Sequence, residues 1–446
     1  MPIEYDLVII GATELGCRMA RRAASMGARV ALVEQSVTPE PALRYRAIVR
    51  ASWPSLSANS HNANEPQGPD RINADRAAWL DFKAQDDGSE LSAESLQIAG
   101  VDYTANAGAF VQRPIHGFQV ADRLLRSSHY VSTLYGDRLV PLGLSHCASL
   151  QPEEIVRQWF HLKGQRVAIV GEMPVGVELA MALRSQGAEV MLVMPTPHLL
   201  PKLERSFGDR VQMVLEAAGV EVWVGHSYES KTIRDRIADC DIVTQATPRV
   251  KPLTEPLGLR SLNRSVMKQN RLQLVGYGDA LTDNITAMAH VEVERILKPW
   301  SRRNVRPNSG NLVGINATWI DSILVPLKTP PSETIVLEGI SWDEGTLWYR
   351  MTIGRRGTIL RCCFMGDQAT EWSGLLSVAI AAKMSLSDLT ALALPTASQS
   401  ALLSRWCCEW QQQARSPWQE FFLDWLGFVR RRSMIKPIVK PTPPIP

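Results

Sequence analysis

An α/β fold built on parallel sheets is what this 446-residue sequence predicts, and three observations predict it. The first is Asp6–Glu34, DLVIIGATELGCRMARRAASMGARVALVE, which reads as strand, glycine turn, helix, strand and terminal acid. The second is Arg166–Met194, RVAIVGEMPVGVELAMALRSQGAEVMLVM, which repeats the same elements. From Gly11 to Glu34 is 23 positions, and from Gly171 to Met194 is 23 again. A repeat of elements and spacing is stronger evidence than either segment alone. The third observation is a change of pattern after the polar, Pro-containing stretch Lys298–Gly310, where strand pairs and then helices replace the alternation.

Within the opening unit, Asp6–Ile10 is a short apolar run suited to a strand buried on both faces. Gly11-Ala12-Thr13-Glu14-Leu15-Gly16 is the turn that opens a helix, Gly27 closes it, and Arg29–Val33 is the next strand. A Rossmann-like dinucleotide fold needs these parts in this order. Gly11 permits the tight turn, Gly16 allows close helix–strand packing, and Glu34 can accept from ribose hydroxyls. The central glycine of G-x-G-x-x-G, where backbone meets pyrophosphate, is Thr13 in the first unit and Met173 in the second. Each turn also carries an acid, Glu14 or Glu172, and Met194 stands where Glu34 stands in the first copy. The turns therefore read as drifted from anion sites towards self-capped structural turns, with Glu14 facing either solvent or the phosphate position.

The intervening segments are ordinary. Pro41–Ala51 reads as a short helix, 52–72 as a surface loop or disordered segment, and Ala74–Gln85 as a helix. Gly100–Val111 reads as strands, and His129–Pro141 as strand then turn. Arg210–Val224 gives a helix, a Gly219 stop and a strand. Leu272–His290 gives strand, Gly-Tyr-Gly-Asp turn and helix. Leu347–Thr352 and Thr358–Phe364 read as antiparallel strands, followed by helices at Glu371–Lys383 and from Leu386, the latter with Ser385 and Asp388 as a helix start.

Composition narrows the function classes. With 45% hydrophobic and 21% charged residues the chain reads as globular, and a net charge of +3 is too small to suggest nucleic acid as a general partner, so none is expected. Seven scattered cysteines show no CxxC or CxxxxC and no Cys/His spacing for a metal, so they read as thiols of a reducing compartment. The start of the chain does not read as a secretory leader, and no run of about 18 apolar residues is present. A cytoplasmic protein is expected, and the sequons at Asn263, Asn284 and Asn316 read as chance matches.

Taken together, these units resemble the pyridine nucleotide–disulfide oxidoreductase family, which includes dihydrolipoamide dehydrogenase, glutathione reductase and mercuric reductase. The resemblance covers about 400 residues, to near Trp410. Gly11, Thr13, Gly16 and Glu34 fall on its FAD pyrophosphate and ribose motif, and Gly171, Gly176 and Glu178 on its second motif, GxGxxGxE. Ala246–Arg249 resembles ATGR with Pro248 for its glycine, Gly278-Asp279 the GD motif whose Asp contacts the ribityl chain, and Leu394–Gln399 the interface motif HPTxSE. The resemblance implies an FAD-binding-type domain over 1–150, an inserted NAD(P)-binding-type domain over 151–270, a return to the first over 271–325, an α+β interface domain over 326–412, and an added helix and tail over 413–446. Homodimerisation through the interface domain is implied as well.

The departures concern chemistry. Gln35–Leu43, QSVTPEPAL, holds no cysteine where the family has its redox disulfide, and Leu394 and Gln399 replace its His and Glu. Thiol–disulfide exchange needs a thiolate and a base, so no catalytic residue is assigned and disulfide reductase activity is not expected. Vicinal Cys362-Cys363, in a strand, and Cys407-Cys408 do not replace the missing pair. FAD is expected at the first unit; NAD(P) is not expected at the second, given Met173 and Met194. Two functions follow: a degenerate reductase-like binding or structural component, a pseudoenzyme that keeps FAD, or an FAD-dependent NAD(P)H oxidoreductase with a non-disulfide acceptor. Beyond the family pattern, Ser416-Pro417-Trp418-Gln419 starts a helix carrying Phe421, Phe422, Trp425, Phe428 and Val429 before Arg430–Arg432 and a Pro-rich tail. Its apolar face is expected to pack on its own domain or a dimer partner, the other reading being contact with another protein or a membrane surface.

Overall fold

The structure is a computed structural model. It describes residues 3–36, 89–112, 115–136, 148–150, 155, 161–171, 174–201, 203–228, 230–246, 251–252, 254–259, 263–275, 285–298, 307–312, 317–322, 334–341, 346–354, 356–366, 368–392, 397–414 and 417–433. The expected helices at 41–51 and 74–85, and the loop 52–72, lie outside these residues. The chain divides into two compact units, the first holding most of residues 1–304 and the second most of 320–446.

In the first unit the chain runs β1 (Tyr5–Ile10), α1 (Glu14–Ser25), β2 (Val30–Val33), α2 (Ala93–Ile98) and β3 (Val101–Thr104). A small antiparallel sheet follows, β4 (Gly108–Val111), β5 (Gly117–Val120) and β6 (Arg123–Leu125), and then β7 (Ser127–Ser132). After β8 (Tyr135–Gly136) the second repeat is built from β9 (Ala148–Leu150), β10 (Arg166–Val170), α3 (Pro174–Ser185), β11 (Glu189–Met194), α4 (Arg205–Ala217), β12 (Glu221–Val224), α5 (Lys231–Ala238) and β13 (Ile242–Gln245). The chain then returns through β14 (Lys251–Pro252), β15 (Leu272–Leu274) and α6 (Ile285–Leu297).

Two parallel five-stranded sheets result. The first has the order β15-β7-β1-β2-β3, and the second β12-β11-β10-β13-β9. Because β15 pairs with β7 in parallel, with Leu272 opposite Tyr130, the second sheet is formed by chain inserted between strands of the first. Both central strands are buried on both faces, Leu7–Ile10 and Val167–Val170 all at 0% exposure, which is why they read as continuous apolar runs rather than alternating ones. Helix α1 presents Leu15, Met19 and Ala23 to the core, where Ala289, Val293 and Ile296 of α6 meet them. Arg22 and Glu294 link the same two helices at 2.7 Å.

The edge of this sheet carries a polar cluster. Tyr5 Oη donates to Asp102, and Arg123 contacts both of them. Hydrogen bonding from Arg123 holds the Asp102 carboxyl below the usual carboxylate range. A folded-state pKa depressed in this way contributes stability above the unfolded pKa of about 4, lost as pH falls through the folded value. Asp102→Asn is therefore expected to flatten the acid limb of stability against pH, measured by urea unfolding across pH 2–6.

A further sheet, whose β18 and β19 belong to the second unit, has the order β16-β17-β20-β19-β18 and is formed by β16 (Pro307–Leu312), β17 (Ala317–Ser322), β18 (Thr334–Ser341), β19 (Leu347–Gly354) and β20 (Ile359–Gly366). Helices α7 (Ala369–Ala381), α8 (Leu386–Thr390), α9 (Ala397–Ala414) and α10 (Pro417–Ser433) follow. Ser385 and Asp388 form a reciprocal capping box at the start of α8. Trp406 of α9 is fully buried, with ring centroids 4.7 Å from Trp372 and 4.9 Å from Tyr349. Trp406→Ala should lower the stability of this unit by about 3–5 kcal/mol, read from its denaturant midpoint.

Candidate functional site

The first candidate site is the turn between β1 and α1, where the sheet's strand order reverses and open α/β sheets bind ligands. Gly11 has φ +102°, a conformation L side chains rarely adopt, and a Cβ there would lie 2.7 Å from Leu134 Cδ2. A Cβ on Gly16 would lie 2.1 Å from the Gly11 carbonyl oxygen, so the helix approaches the strand as closely as backbone allows. Both glycines do what the sequence motif requires of them.

Thr13 does something else. It is the N-cap of α1, in extended conformation, and its Oγ1 accepts from the Gly16 N–H at 3.1 Å. The same hydroxyl donates to Thr133 Oγ1 at 2.9 Å, and Thr133 Oγ1 donates to the Gly11 carbonyl at 2.9 Å. Thr133 is fully buried and follows β7, the strand on the other side of the switch point. A side-chain bridge therefore joins the turn to the neighbouring strand where a dinucleotide motif keeps a bare backbone.

Glu14 faces inward. It is 3% exposed, and its carboxylate meets Arg18 Nε at 2.9 Å one turn along the helix. A carboxylate in the first turn is favoured by the helix dipole, as a bound anion would be. Of the two orientations open to it in sequence, the one facing solvent is not used, and the carboxylate lies buried against Arg18.

The ribose end keeps its expected group. Glu34 ends the β2 segment and is half-buried, and Tyr103 of β3 donates to its Oε2 at 2.8 Å. Burial, then that hydrogen bond and the Glu34 charge, raise the Tyr103 pKa, so the phenol stays a donor. Directly afterwards Gln35 and Ser36 take left-handed conformations, φ 55° and 60°. Such residues cost of order 1 kcal/mol each. Gln35 offsets this by pairing its amide with Gly108 in both directions, each at 2.8 Å, and by donating to the Pro256 carbonyl.

The second turn uses backbone packing instead. Gly171 has φ +144°, and a Cβ there would lie 2.1 Å from the Ala246 carbonyl oxygen. A Cβ on Gly176 would lie 2.8 Å from Ala246 Cβ. Glu178 is buried on α3, and Met194 is fully buried at the end of β11. Glu172, Met173, Thr247–Arg249, Gly278, Asp279 and Leu394–Thr396 lie outside the described residues, and of Gln399 only its place in α9 is described.

Of the sequence-assigned residues, the structure brings together Gly11, Thr13, Gly16 and Glu34 around one turn, and Gly171 and Gly176 around another. Thr133, Tyr103 and Gln35 were missed. The signals available were polar Ser132-Thr133 closing an apolar strand and a glutamine directly behind the acid. Cys17, one helical turn beyond Thr13, is 1% exposed, its thiol is pushed up to about 12 by burial, and its Sγ points at the Ala12 carbonyl. Cys240, Cys362, Cys363 and Cys407 are free and buried, and Cys408 is free and exposed.

Residues 142–249 match the family model described as pyridine nucleotide-disulphide oxidoreductase. Over those residues the chain is similar to that family. It is 23% identical over 235 residues to glutathione reductase from Nostoc sp., covering 50% of this chain and 49% of that one. It is 24% identical over 177 residues to NADH oxidase from Methanocaldococcus jannaschii, covering 36% and 39%. The chain thus matches about half or less of the length of these two relatives. Among solved structures, the HOCl-induced flavoprotein disulfide reductase RclA from Escherichia coli superposes with TM-score 0.65 at 15% identity, over 90% of this chain and 99% of that one. At that identity the likeness is one of fold.

The hydroxyl chain at the first turn is separable from the packing around it. Thr13→Ala should cost about 1 kcal/mol, and Thr133→Val about the same. Because both act on one bond network, the double variant should lose less than the sum of the two, checked by a urea double-mutant cycle.

Proposed function

We propose that this chain is a binding or structural component built on the flavoprotein reductase fold, without thiol–disulfide activity, in which FAD is a weak ligand of the first unit. The observation that carries the reading is the Thr13–Thr133 bridge beside buried Glu14. A pyrophosphate binds a helix N-terminus through open N–H groups and a favourable dipole. Here the Gly16 N–H is taken by Thr13, the neighbouring strand is tied across the turn, and a carboxylate already occupies the positive end of the dipole. The residues present fit the adenosine ribose, through Glu34, and do not fit the pyrophosphate. The second unit is poorer still for NAD(P), since fully buried Met194 replaces the ribose acid.

The missing relay supports the same reading: Gln35–Leu43 supplies no cysteine, and the described cysteines other than Cys408 are buried. The other reading, an FAD-dependent NAD(P)H oxidoreductase with a non-disulfide acceptor, is favoured by one observation, the NADH oxidase relative. Flavin, when bound, passes electrons without a disulfide.

The visible spectrum of the purified protein separates the two. Weak or absent flavin absorbance, with no bleaching by NADH or NADPH, is expected. A stoichiometrically yellow protein bleached by either nucleotide overturns the proposal. The double substitution Thr13→Gly with Glu14→Ser reopens the turn, and it should raise FAD affinity at least tenfold, about 1.4 kcal/mol, in a fluorescence-quenching titration.

A further inference from the structure

The last described helix, α10, carries exposed aromatic residues. Phe421, Phe422, Trp425, Phe428 and Val429 are 65, 55, 50, 55 and 41% exposed. At about 100° per residue these five positions fall within an arc of about 120°, a single stripe along the helix. Phe422 and Trp425 stack on each other at 5.7 Å between ring centroids.

Charge is distributed just as unevenly. From Trp425 to Pro446 the sequence contains Arg430, Arg431, Arg432, Lys436 and Lys440 and no Asp or Glu, in a chain whose 48 basic and 45 acidic residues are otherwise nearly balanced. The helix has 17 residues, and no described helix is long and apolar enough to cross a membrane. An exposed aromatic stripe followed by a cationic segment has the chemistry of a helix that lies in a bilayer interface, rings at the headgroup level and guanidinium groups on lipid phosphates.

We propose that α10, whose sequence ends in Arg430, Arg431 and Arg432, docks this protein on an anionic lipid bilayer. A second copy of the helix is the competing occupant, and charge decides against it. The helix offers only Glu420 and Asp424 to meet five cations, whereas an anionic leaflet supplies matching charge across the whole plane. The inference is independent of whether FAD is bound.

Flotation of the full-length chain with phosphatidylcholine vesicles, with and without phosphatidylserine, tests it. Binding is expected only with phosphatidylserine and should weaken as salt rises. The triple variant Arg430→Gln, Arg431→Gln, Arg432→Gln should bind about a hundredfold more weakly, at about fivefold per arginine, while the corresponding lysine variant binds as the parent does. Phe421→Ser with Trp425→Ser should abolish flotation, with circular dichroism confirming the fold. Should that pair fail to fold, the arginine series decides alone. No binding to phosphatidylserine vesicles, or equal binding by the glutamine variant, overturns the proposal. A concentration-dependent dimer that the Phe421 and Trp425 substitutions dissolve, without lipid binding, reassigns the stripe to a second copy.

Discussion

The contact on which the first site depends is between two backbones. Gly16 of α1 lies so close to the Gly11 carbonyl that a single methyl group would stand 2.1 Å from the oxygen. That approach brings the first turn of the helix to the end of β1, sets Thr13 as N-cap, and puts its hydroxyl within reach of Thr133. Thr133 reaches the same place because β7 pairs with β1 in register, Ser132 opposite Ile10. Close packing comes first, and the hydroxyl chain is its consequence.

The second repeat keeps the packing and omits the chain. Gly171 and Gly176 are held against Ala246, which follows β13 as Thr133 follows β7. In both units the glycine N–H after the first strand donates to the last valine of the next, Gly11 to Val33 at 2.8 Å and Gly171 to Val193 at 3.1 Å. The repeat is thus conserved in backbone geometry between the two halves of the chain, while the side chains at its mouth differ. Ala246 has no side-chain polar atom to offer in the place of the Thr133 hydroxyl.

This division explains what was legible in the sequence. Glycines that answer to backbone sterics announce themselves by spacing, and Gly11, Gly16, Gly171 and Gly176 stand where the spacing put them. Strands buried on both faces show as apolar runs, and β1 and β10 did. The polar partners were not legible, because each joins positions far apart in sequence: Thr13 meets Thr133 across 120 residues, Glu34 meets Tyr103 across 69, and Gln35 meets Gly108 across 73. Pairing of that kind is set by sheet register and not by any local pattern. The orientation of Glu14 was equally hidden, since a first-turn acid satisfies the helix dipole whether it faces water or the core. The exposure of the α10 stripe was hidden for a related reason: an apolar stripe records that something covers it, not what does.

A turn that binds phosphate and a turn that caps itself solve the same electrostatic problem differently. An anion-binding turn leaves N–H groups open and recovers their stabilisation only when ligand arrives, so stability of the fold rises with ligand concentration. With Thr13 on the Gly16 N–H and Glu14 at the positive end of the dipole, that stabilisation is present in the bare chain. On the proposed reading, an added anion displaces a covalently attached competitor whose effective concentration is fixed by the helix itself. The Glu14 charge is in turn held by Arg18, so displacing it also strands a cation. On the proposed reading the fold is retained with less dependence on a cofactor, and the sheet stands on its own packing.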